Sequence, residues 1–144
     1  MANYYATTRS NYFRVKDEAA FKAWCGDLSL DWWTKQFDGQ EGTFFAVSAD
    51  TSSGWPSSRF VQDPNDPDVE DDEEVDLTTE LAKHLDPRDA AVLIEIGNEK
   101  LRYLCGYATA VTADGREHSI SLSTICEEAA EAFGPDINVT EATY

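Results

Sequence analysis

The chain has 144 residues, 42% of them apolar and 12% aromatic, and carries 28 acidic against 11 basic side chains for a net charge of −17. That apolar mass suffices for one domain with a real core, which excludes a wholly disordered chain. The charge argues against direct binding to nucleic acid or to an anionic membrane, because phosphates would be repelled, and no run of about 18 apolar residues reads as a transmembrane helix.

The N-terminus, MANYYATTRSNYF, lacks the charged-then-apolar order of a signal peptide, so the expectation is a soluble, cytoplasmic protein. Ser10 to Lys16 alternates Tyr12, Arg14 and Lys16 against Phe13 and Val15, the pattern of a strand with one buried face. Asp17 then caps a short helix, EAAFKAW, with Ala20, Phe21 and Trp24 at helical spacing. Leu28 to Phe37 reads either as a second short helix or as an irregular aromatic patch, broken by Asp38-Gly39 and Glu41-Gly42. Thr43 to Ala49 is a buried strand. Thr51 to Ser58 is turn chemistry around Gly54 and Pro56, and Ser58 to Gln62 is a candidate return strand.

Asp63 to Asp76, DPNDPDVEDDEEVD, follows: nine of its fourteen residues are carboxylates, and no Lys or Arg occurs between Arg59 and Lys83. Pro64 and Pro67 oppose regular structure in its first half. A block of like charge cannot build a core and stays solvated or meets a basic partner, so an acidic loop is expected here. Asp76 is placed to cap the next helix, LTTELAKHL, with Leu77, Leu81 and Leu85 on one face and Asp86-Pro87 as its stop.

Ala90 to Ile96 is a strand, Gly97 to Lys100 a turn, and Leu101 to Thr112 an antiparallel return in which Gly106 marks a candidate bulge. Asp114-Gly115 is a hairpin dipeptide, and Glu117 to Leu122 is a third strand. Ser123 is placed to cap a last helix, TICEEAAEAF, ended by Gly134-Pro135, with a loose tail from Asp136. The expected fold is α+β: an antiparallel sheet, made of a C-terminal three-strand meander plus N-terminal strands, with three to four short helices. The strand-then-helix order at both ends is compatible with an internal duplication.

Catalysis finds little support. His84 lies near a helix C-terminus and His118 in a strand, and nothing in the spacing brings either to Cys25, Cys105 or Cys126, which read as reduced core thiols. No GxSxG, HExxH, GxGxxG or phosphate-binding glycine loop is present, so no enzyme and no cofactor is expected. An EF-hand begun at Asp63 fits at Asn65 and Glu74 but fails at Pro67, which has no side-chain oxygen, and at Asp68, where glycine is required.

The acidic run has a geometric counterpart. An extended chain advances about 3.3 Å per residue and one DNA strand about 3.4 Å per nucleotide, so Glu70, Asp71, Asp72, Glu73 and Glu74 carry charge at a similar linear density. Glu95 and Glu99, and Glu127, Glu128 and Glu131 of the last helix, are candidates to widen that surface. Two blander readings stand beside it: a solvated loop with no partner, and adaptation to high salt in a chain with only five lysines. Trp55, between Gly54 and Pro56, reads either as packed back on the sheet or as an interface anchor beside the run.

In size, acidity, the EDDEE of residues 70–74 and the lack of catalytic motifs, the chain resembles the small acidic inhibitors of phages and plasmids, anti-restriction and anti-CRISPR proteins among them. What the resemblance implies is an inhibitor that occupies the nucleic-acid groove of a host defence complex. The expected partner is a basic nucleic-acid-binding protein, met through Asp68, Glu70, Asp71, Asp72, Glu73, Glu74, Asp76 and Trp55, with no metal. The alternative is a small acidic cation-binding or salt-adapted domain without inhibitory activity.

Overall fold

The computed structural model describes residues 4–62, 65–66, 70–100 and 103–142. It is α+β, as expected, with antiparallel sheets and, among the described residues, three α-helices. The strands are β1 (Tyr4–Ser10), β2 (Leu30–Lys35), β3 (Phe44–Ala49), β4 (Ser58–Gln62), β5 (Glu70–Glu74), β6 (Ala90–Glu99), β7 (Tyr103–Thr112) and β8 (Glu117–Ser121), and the helices are α1 (Glu18–Asp27), α2 (Leu77–His84) and α3 (Ile125–Phe133). A four-stranded sheet runs β1-β6-β7-β8, while β2-β3 and β4-β5 form two separate ribbons. The C-terminal meander is therefore present and gains one N-terminal strand; the other N-terminal strands stay outside that sheet.

Several boundaries differ from the sequence reading. The first strand is Tyr4–Ser10, not Ser10 to Lys16, whose Phe13 and Val15 make only isolated bridges to Phe45 and Leu85. Their alternation is real, since both dip toward the core, but no ladder accompanies it. Leu28 to Phe37 is neither helix nor irregular patch: Leu30–Lys35 pairs along β3. Strand β6 continues to Glu99, through the expected Gly97 turn. Gly106 sits in unbroken register opposite Ile96, so it marks no bulge; a Cβ there would lie 2.5 Å from Leu122, whose side chain covers it. Ser121, not Ser123, provides the cap, and it caps a 3-10 turn (Leu122–Thr124) that leads into α3. The last helix thus lacks a side-chain cap of its own, and the duplication reading loses its N-terminal strand.

Four features stand where the residues put them. Asp17 caps α1 by accepting from the Ala20 N–H at 3.1 Å. Phe44–Ala49 is a buried strand. Leu77, Leu81 and Leu85 share the buried side of α2. Gly115 turns the β7–β8 hairpin at φ +87°.

The core lies on one face of the four-stranded sheet. Phe13, Phe21, Phe45, Leu81 and Leu85 are fully buried there and meet Ala91, Leu93 and Val111 from β6 and β7. Phe21 of α1 touches Phe13 and Phe45 edge to face, a geometry aromatic rings favour beyond their area burial. Strand β1 docks onto β3 through side chains rather than a ladder: Thr8 Oγ1 accepts from the Ala49 N–H and Ser10 Oγ from the Val47 N–H, each at 2.8 Å. Arg14 grips Asp89 bidentately at 2.7 Å and lies over the Phe44 ring, tying the start of β6 to β3. This inner face is covered by α1, α2 and the β2–β3 ribbon, whereas the outer face is covered only in part, by Leu122 over Gly106 and Ile125 beside it, and leaves Ile96, Leu104 and Ile120 exposed.

Candidate interaction surface

The second half of the acidic run is not a loop. Glu70 to Glu74 pairs antiparallel with Ser58 to Gln62 over five residues, in the register Arg59↔Glu73, Phe60↔Asp72 and Val61↔Asp71. A strand of five carboxylates forms because its partner supplies what the run lacks. Arg59 Nε donates to Glu73 at 3.1 Å and its Nη2 to Glu80 of α2 at 2.6 Å, so one guanidinium joins the ribbon to the helix beneath. These bonds push the Arg59 pKa further up, the Glu80 bond most. Cross-strand opposite charges are among the pairs that stabilise sheets.

Strand alternation divides the charges. Phe60, Asp72 and Glu74 share one side of the ribbon; Arg59, Val61, Asp71 and Glu73 share the other. Asp71, Asp72, Glu73 and Glu74 are all exposed. Among the described residues, Asp72 and Glu74 have no ion-pair partner. Between them, opposite Asp72, Phe60 is 62% exposed. Same-side carboxylates recur at about 6.6 Å, twice the strand rise, which spans about two nucleotides of a single strand. The one-charge-per-nucleotide match expected from the sequence is therefore halved on each side.

The other candidate residues divide as follows. Asp68, with Asp63, Pro64, Pro67 and Val69, lies outside the described residues. For Glu70 only the backbone register, opposite Gln62, is described. Asp76 caps α2: its Oδ1 accepts from Thr79 N at 3.4 Å and Thr78 Oγ1 at 3.1 Å. Those bonds, from Thr79 first, hold its carboxyl below the usual range. Trp55 is half-buried and packs on the core, with its indole Nε1 buried and unpartnered among the described residues. The exposed aromatic beside the charges is Phe60, which sequence reasoning passed over; its signal was a single large apolar residue in the polar strand SRFVQ.

Glu95 does not widen this surface. It is 5% exposed on the inner sheet face, accepting from Tyr4 Oη and from the Trp55 N–H, both at 2.7 Å. Burial first, then Glu95, pushes the Tyr4 and Tyr107 hydroxyls up, the latter to about 12. Gly54 makes the arrangement possible: a Cβ on it would stand 2.5 Å from Glu95 Oε1, and its φ is +95°. Glu95 thus anchors the loop that leads into β4. Glu127, Glu128 and Glu131 are exposed on α3, which extends from the β8 edge.

The residues weighed for catalysis are dispersed. His84 packs against Trp24 at 5.2 Å between ring centroids, and burial lowers its pKa. Cys25 is fully buried, which pushes its thiol up to about 12 and away from nucleophilic use. Among the described residues no three His, Cys, Asp or Glu side chains converge to hold a metal ion, and no helix is long and apolar enough to cross a membrane. No protein-family model, no curated protein and no solved structure matches this chain.

Proposed function

We propose that the β4–β5 ribbon is a charge-mimicking interaction element, and that the protein inhibits a basic nucleic-acid-binding complex of the host's defences by occupying its nucleic-acid groove. One observation carries this reading: a hairpin strand of sequence EDDEE whose described carboxylates are exposed on both sides, with Arg59 their only base among the described residues and Phe60 uncovered between them. A Lys/Arg groove built for phosphates accepts such a ribbon, Phe60 supplies apolar contact where a base would lie, and no bond is made or broken. The targets that fit are anti-restriction and anti-CRISPR ones, DNA-directed or RNA-guided. Within this reading Asp76 shapes the ribbon's end, Trp55 its root, and Asp71 to Glu74 meet the partner.

The test compares wild type with a variant carrying Glu70, Asp71, Asp72, Glu73 and Glu74 as Gln or Asn, in affinity capture from host lysate at low and moderate salt. Wild type is expected to retain a basic nucleic-acid-binding complex, to release it as salt rises, and to block its binding to its own nucleic acid. The neutralised variant should do none of these while keeping its melting temperature within a few degrees. Equal capture by both proteins, or by neither, would return the run to a solvated, cation-binding or salt-adapted role.

A further inference from the structure

We propose that the outer face of the four-stranded sheet, together with the apolar side of α3, is an interface between two copies of this chain. Three observations converge on a second copy as the occupant.

The first is charge. Alternation along β1, β6, β7 and β8 sends one residue set inward and the other outward, and the register keeps the sets aligned across the sheet. The sheet's carboxylates, Glu95, Glu99 and Glu117, all belong to the inward set. No outward position on these four strands is Asp or Glu, in a chain with 28 of them. A basic partner has nothing to pair with there. Two copies of net charge −17 repel at almost any contact, and this face lets them meet without opposing carboxylates.

The second is area. Ile96, Leu104, Ile120, Leu122, Ile125 and Phe133 are each between 55% and 78% exposed. At roughly 100 Å² apiece they uncover roughly 600 Å² of apolar surface, at the upper end for a monomer and close to the about 800 Å² per partner of a stable interface. Five of the six come from the sheet face and the start of α3. Four of these, Ile96, Ile120, Leu122 and Ile125, line one groove of about 310 Å³.

The third is self-complementarity. Helix α3 buries none of its residues. At 100° per residue, Ile125, Ala129 and Phe133 form one stripe, and Glu127, Glu128 and Glu131 lie on the other side. The 3-10 turn over Leu122–Thr124 lies back on β7, with Leu122 over Gly106 and Ile125 rimming the same groove, while the helix beyond it leaves Phe133 exposed. Each copy thus has a sheet face that its own chain covers only in part and an amphipathic helix that buries none of its residues, the two halves of a helix-on-sheet layer. A two-fold pair satisfies both at once, each helix laid on the other copy's sheet with its acids toward solvent.

Sedimentation of the full chain at low and at 0.5 M salt tests this. Wild type is expected at twice 16.0 kDa, with dimerisation tightened by salt as repulsion is screened. Ile120→Glu on the sheet and Phe133→Glu on the helix should each weaken it roughly a hundredfold or more, since each buries an unpaired charge. Both sites are exposed in the single copy, so circular dichroism should not change, and melting should fall only by the concentration-dependent stabilisation that dimerisation supplies. Phe60→Glu, an equally exposed aromatic on the ribbon, should leave the dimer intact. A wild-type monomer at 0.5 M salt, or a dimer that survives either of the first two substitutions, overturns the proposal.

Discussion

The molecule uncovers two surfaces with opposite chemistry, and both hang on the same core. The β4–β5 ribbon gathers four exposed acids, Asp71 to Glu74, around one base and one phenyl ring. The outer face of the four-stranded sheet excludes every acid and leaves isoleucines and leucines in water. A charge of −17 spread evenly would oppose any association; segregated in this way, it directs it. The ribbon's contacts should weaken with salt and those of the sheet face strengthen, so a single salt series separates the two.

The strongest way to break the comparison is to remove what the surfaces share. Phe21 is fully buried among Phe13, Phe45 and Trp24. Phe21→Ala should cost about 3–5 kcal/mol, as large aromatic truncations in cores do, against a total stability of about 5–15 kcal/mol. Chemical denaturation would register that loss, with ribbon binding and self-association disappearing together. A variant that lost one and kept the other would show that the surfaces do not depend on a common core.

A smaller change should divide them. Glu95 receives the Trp55 N–H at the foot of the ribbon but points away from the outer sheet face. Glu95→Ala leaves that donor and the Tyr4 hydroxyl without a partner, at about 1–3 kcal/mol. Hydrogen exchange should show faster opening of β4 and β5 with little change in β7 and β8. Uniform loss of protection across all four strands would mean that Glu95 supports the whole sheet rather than the ribbon's root. Gly54→Ala, which sets a methyl against the same carboxylate in a left-handed backbone, should act on the same strands.

Legibility in the sequence followed the source of each element's stability. Helices α1 and α2 and strand β3 bury apolar side chains at regular spacing and begin or end on recognisable caps and turns, so residues such as Asp17, Phe21 and Leu81 announce them. Strand β1 buries Ala6, Thr8 and Ser10, two of them polar and satisfied by β3 amides, which leaves no hydrophobic alternation to read. In β2 only Leu30 is buried. Strand β5 exists through pairing with β4, and the decisive Arg59–Glu73 and Arg59–Glu80 contacts join residues 14 and 21 positions apart. The ribbon's charge was legible and its structure was not. For the sheet, AAVLIEI is apolar on both sides, the signature of a strand covered twice; on the outer side Leu122 and Ile125 of the same copy supply only part of that cover, and Ile96 stays exposed.

The smallest effect concerns acid, and it ranks the two supports by pH. Hydrogen bonds from Thr79 and Thr78 hold the Asp76 carboxyl down at the ribbon's end, and those from Arg14 hold Asp89 down at the start of β6. A carboxylate with a depressed folded pKa contributes stability that is fully present above its unfolded value, about 3.9, and is lost as pH falls through the folded one. Both contributions should therefore be constant from neutral pH to about 5 and fade below about 4. Asp76→Asn keeps a good N-cap while removing the titrating group, so it should melt near wild type at pH 7 and lose less than wild type on going to pH 3. Asp89→Asn strands the Arg14 guanidinium, so it should melt lower already at pH 7 and then also show a shallower acid limb. If Asp76→Asn instead fell as steeply as wild type, the acid limb would have to come from other carboxylates held down by their partners, Asp89 among them, and the capping bonds of Asp76 would be geometry rather than a switch.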